Sequence, residues 1–544
     1  MPVFVGTGDT SSRIRSNRVG FASHSANPGT ASEGDVYFNS SDGGLRAYNG
    51  SNWSAVGAGG GTFSGIASGA ISNGQSVLIK TDGTIGVVTA TAVGVQTTSS
   101  TSVYSNAIRF FSDVAYDSGN DRFVVFWVDN DNSNYYAYAR VVAVNSANNS
   151  LTFGALTTVY AGHTRNVAIA YDESAQRVVL AYNKSGSNSG AKVGNVDPSD
   201  NSITFGSEIE VNTSHSLDDI QVVYAPDQEK TLFVYENETN YNYGMVRVGT
   251  VDPSDNSMTL GGTNTYITNA HYSMAAGYDT TNNRLLIAYR DGGNNNYGTV
   301  IAGTVSGNAV TFGTASVFAS ENAQPYKKGG VLHDSVNNKN VVFFRDSNEN
   351  GEARVFTVNT DDNSITYSAA AVQFNNFRMG STGAVVYNSS AGKFSIINKD
   401  EDDGSKTKLK TASIVDTAIS ATSAVTIDTN STDYFAGAYN STLRNSLLTY
   451  SDESTTDIEA FVHQIGHSYT NLTANNFLGF SDADYSDGAT AKIQIVGSVD
   501  DAQTGLTTGS LHYVQMDGSL GVAASTPSVV AGIALTDTKI LIRK

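Results

Sequence analysis

The chain has no cysteine and only two tryptophans in its 544 residues. Without cysteine, no disulfide can staple the fold, and neither a thiolate metal site nor a cysteine nucleophile is available. Charge is also sparse, at 15% of residues, and it is one-sided: 51 acidic against 32 basic residues, a net charge of −19. No basic cluster interrupts that balance. Phosphate binding needs concentrated Lys or Arg, so nucleic acid is excluded as an expected partner, and an anionic membrane surface with it. No apolar run reaches the 18 residues of a spanning segment, so membrane insertion is not expected. The opening MPVFVGTGDTSSRIRSNRVGF lacks the basic and apolar regions of a signal peptide, which points to synthesis in a cytoplasm.

What is present is β-structure. Short runs of Val, Ile, Tyr and Phe alternate with Asn, Ser, Thr and Gly, the pattern of strands and tight turns. The length calls for two to four domains.

The middle of the chain repeats. VAIAYDESAQRVVLAYN from Val167 recurs as IQVVYAPDQEKTLFVYE from Ile220 and MAAGYDTTNNRLLIAYR from Met274, with weaker copies from Val114, Gly329, Gly383 and Phe435. An aromatic before the turn marks the register: Tyr116, Tyr171, Tyr224, Tyr278, His333, Tyr387 and Tyr439, spaced 52 to 55 residues apart. Each copy reads as four strands. Before the short fourth strand stands a stereotyped turn: VDPSDN at Val196 and Val251, VNTDDN at Val358 and VNSANN at Val144. Four strands at such a period are the signature of propeller blades, and seven copies fit a closed ring. The segment Thr97–Asn106 either completes the last blade or, with the residues up to Phe111, forms a blade of its own.

The flanks carry hairpins. DVYFN and LRAYN flank an SSDGG turn, with Trp53 following. KTDGTIGV from Lys80 and QMDGSLGV from Gln515 share a strand–Asp-Gly–strand register on opposite sides of the repeats. The expected fold is therefore all-β, a seven-bladed β-propeller inserted in a small β-rich domain with an N-terminal β-hairpin module. Its expected segments are 1–62 (attachment segment and hairpin module), 63–98 and 472–544 (the small domain) and 99–471 (the propeller). Two separate small domains are the alternative for the flanks.

Chemistry is thinly marked. His463 and His467 have the spacing of a helical zinc pair but fall in a strand pattern, which separates residues i and i+4 by roughly 13 Å, so no metal is expected there. Asp346, Asn348 and Asn350 match the opening of a calcium loop, but the position of its bidentate glutamate is Thr357. A solvated polar turn is the plainer reading, with calcium the one candidate cofactor. No nucleophile elbow, phosphate loop, zinc-protease motif or sialidase box occurs, and no catalytic residue is assigned. Loops between second and third strands share a face with the blade-to-blade linkers and are rich in Asn and Tyr. Tyr135, Tyr136, Tyr241, Tyr243 and Tyr297 are the candidate ligand-binding residues, since a tyrosine ring gives flat contact area at low entropy cost. The near-identical VDPSDN turns lie on the other face and imply a structural role.

GDVYFNSSDGGLRAYNGSNW resembles a module near the N-termini of tailed-bacteriophage fibre and other virion proteins. GLTTGSLHYVQMDGSLGVAASTPSVVAGIALTDTKILIRK resembles a C-terminal module of marine-phage structural proteins. The resemblance covers about a quarter of the chain. It implies a virion location and a tail-fibre or spike component. Its flanks would bind other virion proteins and its propeller a host-surface glycan or protein, in a homo-oligomer such as a trimer. A purely architectural virion role, as head decoration or tail component, is the alternative, and a glycan-degrading propeller enzyme the third reading.

Overall fold

The computed structural model describes residues 23–32, 35–41, 44–48, 50–56, 61–105, 111–129, 135–184, 188–212, 217–237, 242–525 and 527–543. These residues form two compact units, Gly94–His467 and a second built from Met1–Val93 with Ser468–Lys544.

The first unit is a seven-bladed β-propeller. Seven antiparallel sheets of four to six strands follow one another along the chain. In blade 1 the strands are Ser112–Asp117, Arg122–Asp129, Tyr136–Val144 and Leu151–Phe153, in that order from axis to rim. In most blades a kink divides the outer strand, and the second piece pairs beside the first on the third strand. Thr157–Tyr160 does so in blade 1. The innermost strands pack neighbour to neighbour from Ser112–Asp117 round to Thr432–Asn440 and back to the start. Blade 7 takes its outer strand from the other end of the unit: Thr101–Ser105 pairs antiparallel with Asp457–Gln464. This closure leaves no eighth blade and removes the sheet edge that an open ring would present.

The periodic residues hold blade to blade. The second strand is almost fully buried in every blade, as in Phe123–Asp129 and Asn445–Asp452, because it lies between two neighbouring sheets. The aromatic of each inner strand clasps the first turn of the preceding blade. Tyr171 Oη accepts from Gly119 N at 3.1 Å and Tyr224 Oη from Ser174 N at 3.2 Å. Tyr278 donates to Asp227, and His333 Nε2 meets Thr281 Oγ1 at 2.9 Å. Tyr387 donates to Asp334 at 2.6 Å and Tyr439 to Ser390 at 2.6 Å. Tyr116 reaches Thr442 at 3.0 Å and so joins blade 1 to blade 7.

The VDPSDN turns complete the same face. Asn201, Asn256 and Asn363 adopt left-handed φ of 57°, 56° and 59°, which Asn tolerates better than most residues. Their side-chain oxygens accept from Arg122, Arg177 and Arg284 of the preceding blades at 2.5–2.6 Å, and the same guanidiniums bind the carbonyls of Pro198, Pro253 and Thr360.

These clasps make stability sensitive to alkali. Burial pushes the Tyr116, Tyr171 and Tyr387 hydroxyls up to about 12, from an ordinary value near 10. A raised folded pKa contributes stability that is complete below pH 10 and lost as pH climbs from 10 to 12. The melting temperature should hold from pH 8 to 9.5 and fall steeply above 10. The triple Tyr→Phe variant at these positions should start lower and fall less, whereas an identical fall would contradict this origin.

The second unit interleaves both flanks. One sheet has the order Thr62–Ile66, Thr490–Gln494, Phe477–Ser481, Ser76–Ile79, Ile85–Val87. A second sheet consists of strands from Val499–Asp500 to Ile540–Ile542. Leu78 and Val88 from the first flank share an apolar cluster with Phe480, Val514 and Ile540 from the second. The two Asp-Gly hairpins are built alike: Asp82 Oδ1 accepts from Thr84 N at 2.9 Å and Asp517 Oδ1 from Ser519 N at 3.0 Å. Gly83 and Gly518 take φ of 82° and 85°.

The N-terminal module is a four-stranded sheet, Ser23–His24, Val36–Asn39, Gly44–Tyr48 and Trp53–Val56, rather than a bare hairpin. Trp53 begins its last strand, edge-on to Tyr37 at 4.8 Å. No helix among the described residues is long and apolar enough to cross a membrane.

Candidate functional site

The two faces of the propeller differ in what their loops do. On one, the first turns and the VDPSDN turns are committed to the blade–blade bonds above. On the other lie the loops between second and third strands, and four of the five candidate tyrosines fall within the described residues there. Tyr136, Tyr243 and Tyr297 each open a third strand, opposite Asp129, Asn237 and Asp291. All three are half-buried. Tyr135 is also half-buried, at φ 51°, with its ring 4.1 Å from that of His163 in the following linker. It therefore packs on a neighbouring loop. Tyr241 lies outside the described residues.

Blade 4 shows this loop in full. Asp291 Oδ1 accepts from Gly293 N at 2.9 Å, and the next turn places Asn295 and Asn296 in consecutive left-handed conformations, φ 54° and 61°. Both side chains are exposed beside Tyr297. Tyr272, 37% exposed on the inner strand, stacks with the Arg290 guanidinium at 4.9 Å. Strand register sets Tyr272, Arg290 and Gly298 in one row, next to the row of His271, Asp291 and Tyr297. Tyr272 and Arg290 thus join the tyrosine face, although sequence reading singled out neither. Their signal is only that an aromatic opens an inner strand.

The axial mouth on this face is filled by the protein itself. The inner strand of blade 5 is broken into Gln324–Pro325 and Val331–Asp334, and the loop between them carries Lys327 and Lys328. Lys328 Nζ lies 2.6 Å from Asp113 in blade 1 and 3.0 Å from the Val167 carbonyl in blade 2. Lys327 pairs with Asp219 in blade 3 and sits 4.8 Å from the Phe111 ring. Gly329 permits the excursion. Its φ is 69°, and a Cβ there would come within 1.9 Å of the Val385 carbonyl. Lys399 pairs with Asp433 at 3.2 Å nearby. The cavity left between these groups is about 10 Å³, room for no more than one water.

The calcium-like loop is internally satisfied. Asp346 Oδ1 accepts from Asn348 N at 2.9 Å and Asn350 N at 2.6 Å, and Oδ2 accepts from Asn350 Nδ2 at 3.2 Å. The matching acidic stretch of blade 6 is paired too: Asp402 with Arg378 at 2.8 Å, and Asp403 with Lys406 and Lys408, both at 2.7 Å. Those cations hold the Asp403 carboxyl down at about 2. His463 ends the third strand of blade 7, buried, with Nδ1 at 3.0 Å from Thr97 Oγ1, and burial pushes its imidazole down to about 4. His467 belongs to a different strand, His467–Thr470. Among the described residues no group of three or more His, Asp or Glu is set to hold a metal ion.

One further acid is perturbed. Glu459 sits half-buried on the third strand of blade 7, and desolvation, with Asp457, Asp452 and Asp428 around it, pushes its carboxyl up to about 7. Sequence reading could not find it, because strand pairing and burial, not spacing, bring these acids together.

No protein-family model matches the chain, and no curated protein matches it. Among solved structures, a Lactobacillus plantarum protein is similar over 64% of this chain and 99% of its own, at 11% identity and a TM-score of 0.42. A periplasmic gluconolactonase of Pseudomonas aeruginosa is similar over 68% and 97%, at 12% identity and a TM-score of 0.43. A variant of the NanB sialidase of Streptococcus pneumoniae is similar over 67% and 70%, at 11% identity and a TM-score of 0.39. Neither enzyme name carries over to this chain.

Proposed function

We propose that this chain is a virion structural protein of the tail-fibre or spike type, whose propeller recognises a host-surface glycan or protein without catalysis. In this reading the interleaved flanks bind other virion proteins, and the protein works as a homo-oligomer such as a trimer. The observation that carries it is the division of labour between the propeller's faces. One carries the clasps that recur from blade to blade, while the other presents Asn and Tyr on loops outside that recurring set, tied only by individual bonds such as His271 Nδ1 to Asn242 O and Tyr104 to Asp129, both at 2.8 Å. Adaptable amides beside flat aromatic rings suit sugars and protein surfaces alike. The lysine-filled axial mouth favours a recognition surface over a substrate channel.

The test is binding of the full-length protein to whole bacterial cells from a broad panel. Wild type should bind at least one strain saturably. The triple variant Tyr136→Ala, Tyr243→Ala, Tyr297→Ala should weaken that binding about tenfold or more, as loss of hot-spot aromatics does, with the fold intact by circular dichroism. No binding across the panel, with tight association to other virion proteins, would replace this reading with an architectural one.

A further inference from the structure

Among the blades that share a third-strand cation, one lacks the large side chain beside it, and a groove opens there. Five blades carry a cation on the third strand, two residues before the position that pairs with the end of the fourth: Arg140, Lys192, Arg247, Arg354 and Lys410. Each reaches a carbonyl at the outer edge of the preceding blade. Arg140 binds Val103 O at 2.5 Å, Lys192 Val159 O at 2.7 Å, Arg247 Val211 O at 2.6 Å, Arg354 Phe318 O at 2.6 Å and Lys410 Phe374 O at 2.7 Å. The fourth-strand residues at the paired position are Phe153, Phe205, Leu260 and Tyr367. The three rings lie 5.0, 6.0 and 4.0 Å from their cations. In blade 6 the paired position holds Ala421, opposite Ala412.

Where the four other blades with this cation place a large side chain, blade 6 has a groove of about 760 Å³. That is the size of a small-ligand site. Lys410 forms part of its wall and is itself only 8% exposed. One of its three N–H groups goes to Phe374 O, and among the described residues no carboxylate lies within 4.0 Å of its Nζ. Lys408, also in the wall, is answered by Asp403 at 2.7 Å and Asp400 at 3.8 Å, so Lys410 is the cation left over. Phe377, from the linker, brings its ring to 5.6 Å of Lys410 Nζ. Asn376, Thr422 and Ser423 add exposed amide and hydroxyl groups.

We propose that this groove binds an acidic saccharide, its carboxylate on Lys410 Nζ, the apolar face of a sugar ring on Phe377 and its hydroxyls on Asn376, Thr422 and Ser423. Asp400, in the same wall, acts on Lys410 only from beyond 4.0 Å and is paired to Lys408. A buried cation with donors to spare gains from a carboxylate at hydrogen-bond distance, because charge-assisted hydrogen bonds are about twice as strong as neutral ones. Burial pushes the Lys410 ammonium below its ordinary range, and a carboxylate alongside reverses that penalty. The inference goes beyond the tyrosine face. It uses none of those tyrosines, so a protein that binds cells yet ignores acidic sugars sinks this proposal alone.

The test is calorimetric titration of the full-length protein with tetragalacturonate, and with maltotetraose as the neutral control. Wild type should bind the acidic oligomer saturably and the neutral one at least about tenfold more weakly. Ala421→Phe restores the ring of the other blades, so it should keep the melting temperature and lose tetragalacturonate binding. Thr422→Trp, at an exposed position, should block the groove without touching the core. Lys410→Arg, the residue of three sister blades, should retain binding. Three outcomes would each overturn the proposal: no binding of either oligomer, equal binding of both, or tetragalacturonate binding unchanged in both blocking variants.

Discussion

Lys328→Met should destabilise the propeller by about 3–5 kcal/mol, the cost of breaking a buried ion pair from one side. Lys328 and Asp113 are 10% and 13% exposed and 2.6 Å apart. Removing the ammonium leaves Asp113 facing a low-dielectric axis with, among the described residues, the Val114 and Ile169 amides as its donors, at 2.9 and 3.2 Å. The lysine also joins blades 5, 1 and 2, so its loss loosens the inner ring in three places. The double variant Lys328→Met, Asp113→Asn should recover much of the loss, because no unpaired charge remains. As a control, Arg378→Ala removes solvent-exposed ion pairs with Asp402 and Glu349, with Arg378 and Asp402 53% and 48% exposed, and it should cost far less than Lys328→Met. Urea unfolding of the four proteins makes the comparison. Equal losses for Lys328→Met and Arg378→Ala would show that the axial pair is not a structural pin.

Val103→Asp should be as damaging, by about 4 kcal/mol, with a change of assembly state as well. Val103 is fully buried in the outer strand of blade 7, in one cluster with Trp127, Leu447 and Val462. Its carbonyl also accepts from Arg140 of blade 1. A carboxylate cannot be solvated there, so the closing strand should leave its place. That uncovers the edge of Asp457–Gln464, and a free edge pairs with other chains. Trp127 is fully buried in wild type and reports the event directly. Its emission should shift to the red while the protein gains mass in light scattering. An unshifted, monodisperse variant would mean that the ring closes by other contacts.

The repeats were legible because blade packing imposes one chemistry at one interval. The aromatic at Tyr116 and its six successors marked the register in sequence, and in the structure each clasps the previous blade. The VDPSDN turns read as structural, and Arg122, Arg177 and Arg284 supply the reason. The interleaving of the flanks was legible in the two Asp-Gly hairpins, since a shared register implies a shared sheet environment. The axial lysines were not. Lys327-Lys328 reads as an ordinary polar loop, and the acids it meets, Asp219 and Asp113, lie two and four blades away in the chain. The blade 6 groove was also hidden. An alanine at the end of a short strand carries no signal until strand register aligns it with Phe153, Phe205 and Tyr367. The tyrosine face lies between these cases. The loops were found by topology, but spacing could not show that Tyr135 packs on His163, or that Tyr272 and Arg290 stand beside Tyr297.

The central claim is that the face of the Asn- and Tyr-rich loops meets the ligand while the VDPSDN face only holds the ring together. Hydrogen exchange of the full-length protein, with and without surface polysaccharide from a strain it binds, addresses that claim directly. Protection should gather in the loops between second and third strands, around residues 129–136, 237–243 and 291–297, and spare the turns at 197–201, 252–256 and 359–363. Protection concentrated in those turns instead, or none in the loops at saturating polysaccharide, would contradict it.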